Sequence, residues 1–180
     1  SVLTNAIYIS DKLGDYKSSI GYLNHLKTVA SKVSANEDLE IKLFSSINSI
    51  ELSMNLRKGD FGRASQIADQ VKEKLEYYGD KVVPARRAFL EFKIAVAYIG
   101  VGEFSQALKW VNRILNDNEL DQTEDIISFT QLLELLIHLE LNHDKLLPYS
   151  IKSTQRFLKT RNRLYSFEKV FLQFLFKSLS

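Results

Sequence analysis

Apolar residues recur every three or four positions along almost the whole chain, which is the period of an α-helix. The clearest series are Ile67, Val71 and Leu75, then Leu108, Val111 and Leu115, then Leu132, Leu135, Leu136 and Leu139. No stretch alternates cleanly between apolar and polar residues, as a half-buried strand would. The 180 residues contain only 7 glycines and 2 prolines. The pattern therefore predicts an all-α protein.

Stop signals divide this pattern into nine predicted helices. Gly14, Gly59 and Gly102 lie where one helix is expected to end, because glycine tolerates the left-handed conformation that closes a helix. Asp15 and Asp60 follow directly, and their side chains can cap the helix that comes next. The predicted helices span residues 2–13, 15–33, 37–58, 60–78, 83–101, 103–116, 123–141, 144–160 and 163–179.

Three of the turns share one sequence pattern. They read GDYKSSIGYL at 14–23, GDFGRASQIA at 59–68 and GEFSQALKWV at 102–111, and a degenerate fourth turn at 141–144 has Asn142 in place of the glycine. Turns that recur at similar intervals along a chain are typical of helical repeats. In such repeats one hairpin cannot bury its apolar side alone, so it stacks on its neighbours. The sequence predicts a single repeat domain over 1–180. Its hairpins are expected at about 1–34, 36–79, 82–117 and 122–160, with a closing helix at 163–179.

The turn, a glycine followed by an acid, an aromatic and then a small residue, resembles that of the tetratricopeptide repeat (TPR). The residues that carry this resemblance are Gly14 and Tyr16 in the first copy, Gly59, Phe61 and Ala64 in the second, and Gly102, Phe104 and Ala107 in the third. It implies a right-handed α-α superhelix, a TPR-like solenoid, with a closing helix at its C-terminus. The units are longer than the family's usual ~34 residues. The C-terminal half also resembles the tails of bacterial proteins with degenerate repeats, and this second resemblance implies no function.

In this family the first helix of each hairpin lines a binding groove. The resemblance therefore implies a set of partner-binding residues: Tyr8, Lys12, Ser46, Ser49, Ser53, Arg57, Phe89 and Phe92. The serines are small and polar and could admit a peptide backbone or a carboxylate. The two phenylalanines are either apolar anchors of the groove or, if the long helices shift the register, part of the core. The Lys/Asn/Asn/Lys/Arg set with which some members bind chaperone tails is absent.

The sequence shows no pattern that points to catalysis, a metal or a cofactor. It has no Cys, no glycine-rich phosphate loop, no G-x-S-x-G and no H-E-x-x-H. His138 lies one helical turn after Glu134, which allows a metal pair or a buried histidine. The acidic segment 116–121 lacks the spacing of a calcium loop, and we expect a solvated connector. We therefore expect a protein that is not an enzyme.

The C-terminal part of the chain differs in charge and in the distribution of its apolar residues. Residues 150–180 carry a net charge of +6 and the rest a net charge of −4. The basic segment is either a solvated face or a patch for an acidic peptide, lipid head group or nucleic acid. One face of the last helix would hold Phe167, Val170, Phe171 and Phe174. That helix either wedges between earlier helices or exposes a self-association surface, for which we expect Tyr165, Phe176 and Leu179.

Together these patterns favour a non-catalytic scaffold that binds a protein or peptide partner in its groove. The alternative is a regulatory repeat domain that binds nucleic acid or controls an attached output domain. A third possibility is homodimerisation through the last helix. The chain begins in a helical pattern, so we expect a domain of a longer protein. Neither a leader nor a membrane span is evident, and the lack of Cys suits a reducing compartment such as the cytoplasm.

Overall fold

The computed structural model describes residues 2–33, 36–120 and 124–178. Within these ranges the chain forms nine α-helices and a short 3₁₀ turn at Gly79–Lys81, and it contains no strand. The helices are α1 (Val2–Lys12), α2 (Tyr16–Ala30), α3 (Glu37–Lys58), α4 (Phe61–Tyr78), α5 (Pro84–Gly100), α6 (Phe104–Leu115), α7 (Glu124–Glu140), α8 (Leu147–Thr160) and α9 (Ser166–Lys177). The prediction of an all-α protein is confirmed.

The helix ends differ from the predicted ends at three places by three residues. α2 ends at Ala30 because the following residues form a tighter turn, in which the N–H of Val33 donates to the carbonyl of Ala30 at 3.1 Å. α8 begins at Leu147, after a turn in which the N–H of Leu146 donates to the carbonyl of His143 at 2.9 Å. α9 begins at Ser166 because the backbone of the preceding residue is extended. The predicted helix limits 123 and 179 lie outside the described residues.

Within the described ranges, five helices end in the same backbone turn. Its central residue has a positive φ, and the N–H of the next residue donates to a carbonyl five positions earlier at 2.8–3.0 Å. The central residues are Gly14, Gly59, Gly102, Asn142 and Asn162. Asparagine is the residue that replaces glycine most readily in this conformation. The first four were expected from the sequence, whereas the turn at Asn162 was not.

Side chains complete the glycine turns. The carboxylate of Asp15 accepts a hydrogen bond from the N–H of Ser18 at 3.1 Å, and Asp60 accepts one from the N–H of Arg63 at 3.0 Å. The ring of Phe61 packs on Gly100, the last residue of α5, where an added Cβ would lie 2.1 Å from a ring carbon. The aromatic residue of this turn therefore contacts the next helix pair, and only glycine fits opposite it.

The helices pack mainly on their neighbours in the chain. α1 contacts α2, α3 contacts α4, α5 contacts α6 and α7 contacts α8, and the second helix of each pair also contacts the helix that follows. The first helices contact one another in the order α1, α3, α5 and α7. The largest apolar cluster joins α3, α4, α5 and α6, where Ala64, Ala68, Ala95 and Ala107 are completely buried. These small residues allow close contacts among the four helices, and the contacts between successive first helices place those helices side by side.

Candidate functional site

An open cavity of about 450 Å³ lies on the face formed by the first helices. Residues from α3 and α5 form most of its wall, and one residue comes from α1. The lining residues are Thr4, Ser45, Ser46, Ser49, Ile50, Ala85, Arg86, Phe89 and Lys93. The spacing of 85, 89 and 93 places these residues in one row along α5, since side chains four apart share a helix face. Two packed helices therefore build the cavity from facing rows.

The two rows differ in chemistry. The α3 row offers hydroxyl groups, and two of them belong to the half-buried residues Ser46 and Ser49. The α5 row offers the ring of Phe89, which is 45% exposed, together with two basic side chains. An apolar wall beside hydroxyl groups and positive charge is the usual composition of a small ligand pocket.

Lys93 is the most unusual residue of the cavity. Its Nζ donates to the backbone carbonyl of Ser49 at 3.2 Å and is 2.5 Å from the Ser49 hydroxyl. Burial lowers the pKa of Lys93 to about 8, and the positive charge of Arg57 contributes in the same direction. Among the described residues, no carboxylate forms an ion pair with Lys93. The cavity therefore contains a partly buried ammonium group whose charge is not neutralised.

The second cation of the cavity, Arg86, is exposed. Its Nη1 is 3.5 Å from the hydroxyl of Ser46, which is at the limit of hydrogen-bond distance. Its guanidinium is therefore held only weakly and can move toward an entering group.

Three of the eight residues proposed from the TPR resemblance line this cavity, namely Ser46, Ser49 and Phe89. Ser53 and Arg57 lie one and two turns farther along α3 and do not line it. The guanidinium of Arg57 forms an ion pair with Asp11, whose side chain is completely buried. Arg57 therefore joins α3 to α1 in addition to adding positive charge near the cavity.

The other three proposed residues lie elsewhere on the first helices. Tyr8 and Lys12 form an exposed pair on α1, with the ammonium 4.7 Å from the ring centre. Phe92 packs against the apolar cluster that contains Ile114 and Ile126. The structure thus separates the two phenylalanines, since Phe89 faces the cavity and Phe92 belongs to a core.

Sequence reasoning missed the two cations of the cavity. Arg86 precedes Phe89 by three positions and Lys93 follows it by four, so both lie on the same helical row as a residue that had been identified. This spacing could have revealed them. The burial of Lys93 and its contact with Ser49, which is 44 positions earlier in the chain, could not have been read from the sequence.

The opposite side of α5 carries a half-buried cation, Arg87, and a buried carboxylate, Glu91, and both are paired. The guanidinium of Arg87 contacts Asp117 at 2.6 Å and Asp80 at 3.0 Å. The carboxylate of Glu91 is 3.0 Å from Nε of Arg113 on α6. Burial raises the pKa of Glu91 to about 7, although the nearby guanidinium groups oppose this shift. Arg87 holds residues 116–120 of the acidic segment through Asp117, so this part serves as a connector, and residue 121 lies outside the described residues.

The histidine pair at the end of α7 is partly buried. Nδ1 of His138 is 2.8 Å from Nδ1 of His143, and Nε2 of His138 is 3.9 Å from Glu134. Burial lowers the pKa of His138, and the neighbouring His143 adds to this effect. No group of three or more possible metal ligands occurs among the described residues. The arrangement is that of a buried histidine held by its neighbours.

The last helix exposes apolar side chains. Phe167, Val170 and Phe174 are 67%, 65% and 62% exposed, while Leu172 and Leu175 are buried against α7 and α8. Of the residues proposed for self-association, Tyr165 and Phe176 are exposed, and Leu179 lies outside the described residues. The sequence had placed Phe167, Val170, Phe171 and Phe174 on one face. Three of them are open, whereas Phe171 is partly buried against the cluster that contains Leu172 and Leu175.

No helix in the described part of the chain is both long and apolar enough to cross a membrane. Comparison of the chain with protein-family models, with curated proteins and with solved structures finds no match.

Proposed function

We propose that this protein is a non-catalytic scaffold of TPR-like helical hairpins, which binds a peptide segment of a protein partner on the face of its first helices. The cavity between α3 and α5 carries this proposal. It joins an exposed aromatic ring, hydroxyl groups and two cations, Arg86 and Lys93, on two helices that pack against each other. A peptide can enter such an open, preformed site with little rearrangement of the protein.

Two observations support a repeat scaffold. The same closing turn recurs at four hairpins, and each second helix contacts the first helix of the next pair. Stacked hairpins of this type leave their outer faces free for binding. We also propose that the protein is cytoplasmic, because a chain without Cys suits a reducing compartment.

The test is a selection from a random-peptide display library on the purified protein. We expect peptides that bind the wild type and that lose at least about tenfold in affinity for Ser46→Trp, because the indole would fill the cavity. The matched control is Ser105→Trp on the exposed side of α6, which should bind as the wild type does. Circular dichroism must show both variants folded. Peptides that bind Ser46→Trp and the wild type equally would contradict the proposal.

The second candidate function is a regulatory domain that binds nucleic acid or controls an attached output domain. Lys152, Arg156 and Lys159 support it, because they are exposed along α8 and have no carboxylate partner among the described residues. Fluorescence anisotropy with a labelled duplex tests this candidate. If the protein contacts phosphates, its affinity for the duplex should fall steeply as the salt concentration rises, and the Arg156→Glu variant should bind more weakly than the wild type. Binding that does not depend on salt would exclude them.

The third candidate is self-association through α9, supported by the exposed face of Phe167, Val170 and Phe174. Light scattering after size exclusion tests it on the wild type and on Phe167→Asp with Phe174→Asp. A dimeric wild type and a folded monomeric variant would support an interface. If the wild type and the variant are both monomeric, self-association through α9 is excluded.

A further inference from the structure

The cavity between α3 and α5 contains a chemical preference that goes beyond its shape. Three other half-buried cations each contact a carboxylate. Lys27 contacts Glu51 at 2.7 Å, Arg87 contacts Asp117 at 2.6 Å and Arg163 contacts Asp125 at 2.5 Å. Lys93 is the exception within the described part of the chain. Its ammonium group donates hydrogen bonds to the backbone carbonyl and the hydroxyl oxygen of Ser49.

An unpaired charge in a partly dry site is costly, because neutral oxygen atoms replace only part of the lost hydration. The charges around Lys93 increase this cost. Arg57 on α3 adds positive charge, its own partner Asp11 lies on α1, and Arg86 on α5 lines the same cavity. An anion that entered the cavity would remove this repulsion and replace it with attraction.

The walls select among anions. The hydroxyl groups of Ser46 and Ser49 can donate to an anionic oxygen, and Phe89 and Ile50 give an apolar surface beside it. Among the described residues that line the cavity, the partly buried charge is the single ammonium group of Lys93. One ammonium group suits a singly charged carboxylate better than a phosphate dianion, which needs several donors. A volume of about 450 Å³ accommodates a group of side-chain size next to the anion.

We propose that this cavity binds a carboxylate attached to an apolar group, with Lys93 as the charge partner and Phe89 as the apolar contact. The proposal rests on the proposed function, since it names the chemistry of the segment that would enter the same cavity. The carboxylate can belong to a peptide, as an acidic side chain or a chain end, or to a free organic acid. The chemistry at Lys93 is the same in each case.

The first experiment uses phenylacetate as the probe and phenylacetamide as its uncharged match, with ¹⁵N-labelled protein followed by nuclear magnetic resonance. We expect phenylacetate to shift the amide signals of Ser46, Ser49, Phe89 and Lys93, with an affinity at least about tenfold higher than that of phenylacetamide. This comparison is made on the wild type and needs no variant. Equal affinities of the two probes would overturn the proposal.

Two variants locate the charge partner. Lys93→Met should lose at least about tenfold in affinity for phenylacetate, whereas Lys109→Met, on the exposed side of α6, should bind as the wild type does. Full affinity in a folded Lys93→Met would overturn the assignment. Inorganic phosphate is the competing probe. If it shifts the same signals at lower concentrations than phenylacetate does, the cavity is a phosphate site and the proposal is wrong.

The pH dependence gives an independent readout. The affinity of the wild type for phenylacetate should be constant below the pKa of Lys93 and should fall by up to about tenfold per pH unit above it, because a neutral amine attracts no carboxylate. An affinity that does not change up to pH 10 would exclude Lys93 as the partner.

The peptide selection separates this inference from the proposed function. Selected peptides that need the open cavity but share no carboxylate would refute the inference and leave the scaffold function intact. Selected peptides with a common carboxylate would identify a peptide as the source. If phenylacetate binds and no peptide is selected, the scaffold function fails and the cavity is a site for a free organic acid.

Discussion

The two sides of α5 hold charged residues in opposite ways. On the side toward α6 and the following connector, Arg87 is half-buried, Glu91 is buried, and each contacts an oppositely charged group. On the side toward α3, Lys93 is partly buried, and its hydrogen-bond partners in the described part of the chain are two oxygens of Ser49. The first side serves to hold the helices together. The second side leaves a charge available, and this difference is the basis of our proposal that the cavity binds an external partner.

The largest expected effect concerns the side of α5 that carries Arg87 and Glu91, which we call the paired side. Arg87→Met should lower the free energy of unfolding by about 3 kcal/mol, because it leaves the carboxylate of Asp117 poorly solvated and without its partner. Burial alone would raise the pKa of Asp117, but the hydrogen bond from Arg87 reverses this and lowers it. Urea denaturation at pH 7 measures the change. A loss below about 0.5 kcal/mol would mean that the two sides of α5 do not differ as described.

On the unpaired side, which carries Lys93, we expect a substitution to change the free energy of unfolding in the opposite direction. Lys93→Met should raise the free energy of unfolding by about 2 kcal/mol at pH 7, because a methionine side chain fills the same space without a charge. The same denaturation experiment measures it, with Lys109→Met as the control.

The gain from Lys93→Met should depend on pH in a defined direction. Lys93 has a pKa of about 8 in the folded protein and about 10.4 when unfolded. Between these values the unfolded chain binds more protons, so the wild type gains stability as the pH rises. The advantage of Lys93→Met should therefore shrink between pH 8 and pH 10. An advantage that grows in this range would contradict the assignment of an unpaired ammonium group.

A smaller effect on stability distinguishes Glu91 from Asp117, the other acid on the paired side. Glu91 has a pKa of about 7 in the folded protein and about 4.3 when unfolded. Between these values the folded protein binds more protons, so this group lowers the stability of the wild type as the pH rises. Glu91→Gln should gain about 1–2 kcal/mol relative to the wild type between pH 4.5 and pH 7.5. Urea denaturation across this range tests it, and a falling difference would show that pairing with Arg113 outweighs burial.

The helices and their turns could be predicted because they depend on local chemistry. Gly14, Gly59 and Gly102 close helices where the sequence indicated, since few other residues adopt a positive φ without cost. Asn162 was missed because no repeat pattern surrounds it. Its turn divides the predicted α8 and α9, and the three residues that follow it explain why α9 begins later than expected.

The candidate site could be predicted only in part. The row of Ser46 and Ser49 followed from the family pattern, but the fates of Phe89 and Phe92 depended on which neighbour each would meet. These residues lie three positions apart on one helix. One faces the cavity, and the other packs on the cluster between α5, α6 and α7. A rotation of α5 by a fraction of a turn would exchange them, and local sequence does not specify this rotation.

The sequence by itself determined the helices, their closing turns and the approximate period of the pairs, because hydrophobic spacing, glycine and capping residues act within a few positions of the chain. Tertiary structure alone decided which polar groups lost their water and which of them found a partner. Arg87 meets Asp117 thirty positions away, and Lys93 meets Ser49 forty-four positions away. Burial and pairing depend on contacts of this length, so the chemical preference of the cavity became visible only once α3 and α5 were packed together.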